Sequence, residues 1–456
     1  MAIVSSHPMY QFIDDLQSID LPAQVIQQSK ICLADLLATL AAGSQTELAP
    51  IVNTFCTQQL SASVQAPRAL PLTSASPMSP AGAALLDAMV IDSMDAHDGH
   101  SLTKGHVGCA VIATLNSFIS SAQQDSEGRS KQISGRQLLG YLIAGYEIGT
   151  RCGIVLHESC SDYHSSGAWN AVTCAALTGH YLGLDRQQFE HALGIAEYHG
   201  PRSQLMRDVD HPTMVKDGSG WGAMAGVSAA YMAQLGFTGA PAITVFNSEV
   251  QGYWQDLGSR WRILEQYIKP YPVCRWAHPA IDAVLALMQQ HNIASHQIVK
   301  VTVHTFHHAT RLSQQLPETS DQAQYGIVFP LAIALCHGNV LPKHLHESAL
   351  NDAVVVAMFK RIEIVETEHF SQLFPAQRQC QVDIETASDT YKSAAYSARG
   401  EPQAPLSKTE LLAKYMALTT PVWGEQRAIK ILDAIDQLDT QESSALELLS
   451  MIPRQH

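Results

Sequence analysis

Lys269-Pro-Tyr-Pro-Val-Cys-Arg-Trp-Ala-His-Pro279 marks a change of texture in a chain of 456 residues. It reads as a linker followed by a helix that runs to about Gln290. Upstream, residues 1–266 read as helix after helix. Downstream, Ile298–Phe306 alternates with Val299, Val301, Val303 and Thr305 on one side, the period of a strand. Arg361–Val365 and Gln379–Ile384 repeat that period, and Tyr391–Ala398 is a fourth candidate. Helices are expected between them at about 320–337 and 351–360. From Ser407 the chain returns to helix, over 407–417, 423–437 and 441–451, which should pack back on the first bundle. The predicted fold class is mostly α: a large all-helical domain, residues 1–266 and 403–456, with a smaller α+β lid domain, 267–402, inserted into it.

Within the helical part, Gln11–Leu16 is short and amphipathic, and Pro22 opens a helix to about Ala42 that carries Ile26, Ile31, Cys32, Leu36 and Leu37. Residues 60–80 are rich in Ser, Ala and Pro and read as a surface loop. Pro80 suits a helix start, and a small-residue apolar helix should continue over Ala81–Asp95. Val107–Ile119 is apolar nearly all round and should be buried. Further helices are expected over Ser134–Leu156, Gly167–Leu182, Arg186–Tyr198 with Asp185 as cap, and Trp221–Leu235 with Gly236 as stop. Their Gly and Ala content permits close helix–helix approach.

The formal net charge of −14 argues against a nucleic-acid partner, because phosphate contacts need a basic face. It leaves room for an anionic small substrate, since a few residues set the field inside a cleft. Hydrophobic residues make up 46% of the chain, as in ordinary globular proteins. No apolar run reaches about 18 residues, and Met1-Ala-Ile-Val-Ser-Ser-His lacks a signal-peptide charge pattern, so a cytoplasmic protein with no membrane partner is expected. Nine cysteines are scattered without any Cys-x-x-Cys, which is cytosolic thiol usage and implies neither a zinc site nor an iron–sulfur cluster.

Polar chemistry concentrates in Asp95-Ala-His-Asp-Gly-His-Ser-Leu-Thr-Lys-Gly-His-Val-Gly108. Groups that exchange protons near neutral pH, beside fixed positive charge, suit chemistry on a carboxylate. Asp95 and Asp98 are three apart, as are His97 and His100, so continued helix would make each pair neighbours. A metal nest and a solvated helix end remain alternatives to an active-site wall. His106 stands before an apolar helix whose N-terminal N–H groups can hold a carboxylate. His164, in Asp162-Tyr-His-Ser-Ser-Gly-Ala-Trp-Asn170, bears the same relation to its own helix, where capping or packing is the plain alternative. Lys216 lies between an apolar pair and a glycine-rich turn; it is either an exposed loop lysine or a base or carboxylate clamp. Lys269, Cys274, Arg275 and His278 lie at the linker, where two cations can bind a di- or tricarboxylate as a lid closes. No nucleophile elbow, phosphate loop or dinucleotide fingerprint is present.

Asp95-x-x-Asp98-Gly99-His100…Gly105-His106-x-Gly108 resembles the signature of the MmgE/PrpD family. So do His164 with its helix ending Leu182-Gly-Leu-Asp185, Val215-Lys216 with a helix ending Leu235-Gly-Phe-Thr-Gly239, Lys269-Pro-Tyr-Pro…His278-Pro-Ala-Ile-Asp282, and Ala395-Tyr-Ser-Ala-Arg-Gly-Glu-Pro402. The resemblance spans most of the chain in order. The family includes 2-methylcitrate dehydratase, cis-aconitate decarboxylase and iminodisuccinate epimerase. It implies a helical domain with an inserted α+β lid, a homodimer, and catalysis on a small polycarboxylate without metal or organic cofactor.

By that resemblance Asp95, His106, His164 and Lys216 fall on catalytic positions and Lys269 on the hinge lysine; Asp98, His100, Cys274 and Arg275 are expected around the substrate from their places in the polar stretch and the linker. Gly99 stands where the decarboxylase type has threonine, Cys274 where it has histidine, and Phe329 where it has a lid tyrosine. Val107 replaces the usual proline, and Lys216-Asp-Gly-Ser-Gly-Trp221 replaces a His-containing stretch. These departures weigh against a decarboxylase and leave dehydratase and epimerase. The expectation is a carbon–oxygen lyase dehydrating a hydroxy-polycarboxylate, with a dicarboxylate epimerase as the alternative. Asp95 and His106 would form an acid/base pair and His164 would work from the other side. Lys216, Lys269 and Arg275 would bind carboxylates, with Lys216 a second candidate base.

Overall fold

The computed structural model describes residues 3–4, 7–18, 20–63, 65–121, 132–440 and 443–454. Two apolar cores account for its two textures. One gathers side chains from Met9 to Ile268 and again from Leu406 to Ile452; the other runs from Tyr271 to Ile384 and takes in Val209. The chain is mostly α with a small α+β region lying between two stretches of the helical part.

Local sequence explains where the helices begin. Ser79 accepts a hydrogen bond from the Gly82 N–H and Pro80 occupies the first turn of Pro80–Asp92. Gly135–Ser159 and Arg186–His199 open on reciprocal caps, Ser134 with Gln137 and Asp185 with Gln188, each contributing about 1 kcal/mol. Every residue of Gly108–Ile119 is buried, as its all-round apolarity predicts. At Gly226, a Cβ would overlap the Ala171 carbonyl, so glycine is what lets Ser219–Gln234 lie directly on Gly167–Tyr181. Helix Leu48–Gln59, which the sequence reading passed over, turns Leu48, Ala49, Val52 and Cys56 inward.

Several expectations need correction. Ala23–Gly43 is long and apolar enough to cross a membrane by length and composition, although 72% of its most apolar window is buried inside the protein. The described residues of 61–79 contain no helix, yet Ala69, Leu72 and Met78 are buried, because the Asp87 carboxylate accepts the Leu72 N–H at 2.9 Å and ties the loop down. The helix expected over Ala81–Asp95 stops at Asp92, where the Ser93 hydroxyl donates to the Val90 carbonyl at 2.7 Å. Residues 93–107 are therefore turns and bridges, and the three-residue pairing along a helix face does not apply to them. Part of the 441–451 expectation (441 and 442), and much of the opening Met1–His7, lie outside the described residues.

The sheet contains β1 (Ile298–Thr305), β2 (Ile362–Glu366), β3 (Gln379–Thr386), β4 (Thr390–Lys392) and β5 (Tyr396–Ser397). Its order is β2-β1-β3-β4, with β5 also on β3. β1 and β2 are parallel and the other pairs antiparallel, so the helices between β1 and β2 form the crossover a parallel pair requires. A register shift between Ile298 and Lys300 turns Val299 outward, 56% exposed, while Val301, Val303 and Thr305 stay buried. The fourth candidate strand is split because the Ser393 hydroxyl takes the Val382 N–H at 2.9 Å, between β4 and β5.

Helix Lys408–Trp423 returns to the helical core and packs on Ala23–Gly43. Its Lys414 pairs with buried Asp35 and donates to the Ala96 carbonyl at 2.7 Å. The end of the chain thus pins the polar stretch from behind.

Candidate active site

Leaving the helix at Asp92 lets the stretch 93–107 fold back on itself. His100 and Gly105 pair, and Gly99 pairs with Tyr267 through hydrogen bonds of 3.1 and 2.8 Å. This brings the chain before the linker against the polar stretch. A Cβ on Gly99 would collide with the Tyr267 hydroxyl and lie 2.9 Å from His106 Nδ1, so only glycine leaves room for both side chains.

The His106 backbone is clamped from the neighbouring helix start. Its N–H donates to Ser166 Oγ at 2.9 Å, and Asn170 Nδ2 donates to its carbonyl at 2.9 Å. Ser166 is itself held by the carboxyl of Asp217. On the ring, Nδ1 faces the Asp98 carbonyl, which can only accept, so Nδ1 carries the proton. Nε2 is left bare in the neutral ring, 3.9 Å from Asp95 Oδ1. Burial pushes the His106 pKa well below its ordinary value, with the His97 and Lys269 charges adding to it against the pull of Asp95. His106 is neutral at neutral pH.

Burial alone would raise the Asp95 carboxyl; the Lys269 ammonium overrides it, aided by His106 and His97, and holds Asp95 well below the usual carboxylate range. Lys269 Nζ reaches both the Asp95 carboxylate and its backbone carbonyl. Gln324 fixes the same residue from the α+β region: its Oε1 accepts from the Asp95 N–H at 2.9 Å and from Lys216 Nζ at 3.2 Å, and its Nε2 donates to the Ser93 carbonyl at 3.2 Å.

Asp95, His106, Tyr267, Lys269, Cys274 and Arg275 line one cavity of about 40 Å³, together with Lys104, Tyr163, Asp217, Trp276, Tyr325, Arg378 and the apolar Leu205 and Val209. Burial raises the Tyr267 pKa against the nearby Arg378 and Arg275 charges, so its phenol stays protonated. Burial likewise pushes the Cys274 thiol up to about 12, which leaves it neutral. Arg275 pairs with Glu401 at 2.9 Å and lies 4.6 Å from the Tyr267 ring centroid.

The remaining expected site residues lie elsewhere. Lys216 is buried behind the cavity, paired with Asp321 at 2.7 Å, with its ammonium 5.3 Å from the Tyr325 ring centroid. Its backbone adopts the left-handed conformation, φ 48°, which costs about 1–3 kcal/mol for a residue with a side chain. Asp98 turns away and accepts from the Tyr146 hydroxyl at 2.8 Å; burial, then the Asp35 charge, raises its pKa to about 7. His100 pairs with Glu265 at 3.2 Å and lines a second, larger cavity of about 680 Å³. His164 pairs with Asp162 at 2.9 Å outside the inner lining, and Tyr163 beside it takes the cavity position.

The expected metal alternative has one candidate among the described residues: Asp92, His97 and Cys109, whose ligand atoms lie within 4.8 Å of one another. Burial, then the Asp92 charge, raises the Cys109 thiol well above its ordinary pKa. The trio is also absent from the inner lining.

Tyr267, Arg378, Tyr325, Gln324 and Asp217 were missed. Tyr267 stands two residues before the linker lysine and Asp217 directly after Lys216, so proximity was their only signal. Gln324 and Arg378 are brought in by tertiary contacts alone.

The profile of the MmgE/PrpD N-terminal domain matches residues 8–254, and that of the MmgE/PrpD C-terminal domain matches residues 271–439. A cis-aconitate decarboxylase-like protein, oryM, of Aspergillus oryzae (strain ATCC 42149 / RIB 40) is 23% identical over 489 residues, covering 97% of this chain and 95% of that protein. A cis-aconitate decarboxylase of Aspergillus terreus is 24% identical over 476 residues, covering 96% and 94%.

Proposed function

The chain belongs to the MmgE/PrpD family, and from that premise we propose that it is a hydro-lyase that removes water from a hydroxy di- or tricarboxylate by acid/base catalysis. The observation that carries this reading is the state of His106. With Nδ1–H bound to the Asp98 carbonyl and the ring held neutral, His106 brings to the cavity lining an Nε2 lone pair 3.9 Å from Asp95. A resting base suits removal of a proton from the carbon beside a carboxylate. Decarboxylation asks for the reverse, a group that holds a proton ready for the carbanion.

In the proposed reaction His106 Nε2 takes the carbon-bound proton, and Asp95, 3.9 Å away, stabilises the imidazolium. The protonated Tyr267 phenol donates to the departing hydroxyl, releasing water and leaving an alkene. Transfer of the His106 proton to the phenolate restores both groups. Lys269 and Arg275 supply positive charge for the carboxylates as these develop enolate character.

Decarboxylation is kept as a second reading because both relatives carry cis-aconitate decarboxylase in their names. Proton NMR of hydroxy- and unsaturated tricarboxylates in D₂O, with CO₂ collected, separates the two. Alkene from the hydroxy acid without CO₂ supports the hydro-lyase. CO₂ release from the unsaturated acid, with deuterium taken up from solvent into the product, overturns it. Deuterium exchange with loss of chirality and no alkene points to epimerisation.

A further inference from the structure

The cations around the inner cavity differ in one respect. Lys269 pairs with Asp95, Arg275 with Glu401, and Lys216 behind them with Asp321. Lys104 is half-buried with its ammonium 5.2 Å from the Tyr163 ring centroid. Arg378 is 7% exposed, and its Nε and Nη1 have no hydrogen-bond partner. Its Nη2 donates to the Ser101 carbonyl at 3.2 Å, and the guanidinium lies 6.0 Å from the Tyr267 ring centroid. Burying charged donors without acceptors is costly, so a native site that does so needs a reason.

Position supplies the reason. Among the described residues, Arg378 alone is common to the linings of the inner and the larger cavity. It therefore borders both the cavity that holds His106 and the 680 Å³ space. Two carboxylates that line that space are already paired with other cations: Glu265 with Arg260 and Arg262, Glu401 with Arg275. They leave the guanidinium's charge uncancelled.

We infer that Arg378 is a substrate-binding residue that receives one carboxylate of a polycarboxylate whose reacting carbon lies at His106. The substrate class rests on the hydro-lyase reading above. A carboxylate there supplies acceptors to the bare donors, and a monocarboxylate lacks the second anion needed to span both positions.

Titration calorimetry with propane-1,2,3-tricarboxylate, succinate and acetate tests this on the full chain. Wild type should bind the tricarboxylate more tightly than acetate, and Arg378→Gln should weaken it by about 10-fold or more. Equal affinity of wild type and Arg378→Gln for the tricarboxylate overturns the inference and leaves the hydro-lyase reading standing. No binding of any of the three by wild type removes the polycarboxylate reading and the inference with it. Should circular dichroism show that Arg378→Gln is misfolded, phenylglyoxal labelling of wild type decides, read by peptide mass. Protection of Arg378 by the tricarboxylate supports the role, and labelling at an unchanged rate contradicts it.

Discussion

His106 Nδ1 and the Asp98 carbonyl are hydrogen-bonded, and that bond decides which ring nitrogen is available to a substrate. Asp98 thus acts at the site through its backbone, while its side chain is committed to Tyr146. The bare Nε2 beside Asp95 follows from this pairing.

Replacing His106 by glutamine keeps an amide of similar reach and removes the base. Turnover should fall by about 10²–10⁴-fold, with the circular dichroism spectrum unchanged. A His106→Gln enzyme within threefold of wild type in kcat/KM removes His106 from the chemistry.

Because burial and the neighbouring positive charges lower the His106 pKa, the neutral ring persists below pH 6.5. Activity should be flat from pH 7 downward through 6.5 and fall only as the pH drops through the lowered pKa. An acid limb of kcat/KM above 6.5, set by His106, contradicts this electrostatic account.

Gly99 and Tyr267 should behave as one unit. Gly99→Ala pushes the phenol from its place beside His106, so its rate should fall about 10-fold or more, and so should that of Tyr267→Phe. The double variant should be little slower than either single one, since the second change acts on an interaction already lost. Fully additive losses would mean the two residues act separately.

The sequence disclosed the architecture because its signals are local. Caps at Ser134 and Asp185, the all-round apolarity of Gly108–Ile119 and the alternation of β1 and β3 each depend on neighbours in the chain. It exposed His106, Asp95 and Lys269 through an unusual density of polar residues and a family resemblance. What stayed hidden depends on long-range contact. Gln324 is 229 residues from Asp95, and nothing in Ser320–Gln324 signals that its amide will hold a backbone N–H across that gap. Val299 was misread for a related reason: a one-residue register shift on pairing with β3 moves a side chain to the opposite face.

Gln324→Ala should therefore reach both stability and chemistry. It strips acceptors from the Asp95 N–H and Lys216, and a donor from Ser93. We expect a loss of about 2–3 kcal/mol in denaturant unfolding and a drop in kcat. Loss of stability with kcat intact would limit Gln324 to holding the fold.

The central claim is that His106 rests as a neutral ring with Nε2 bare. Nitrogen NMR of protein labelled with ¹⁵N-histidine, with the His106 signals assigned by their absence from His106→Gln, measures that state directly. At pH 7 the account predicts a protonated Nδ1 and an unprotonated Nε2, unchanged on lowering the pH to 6.5. A proton on Nε2, or an imidazolium, at pH 7 would contradict it.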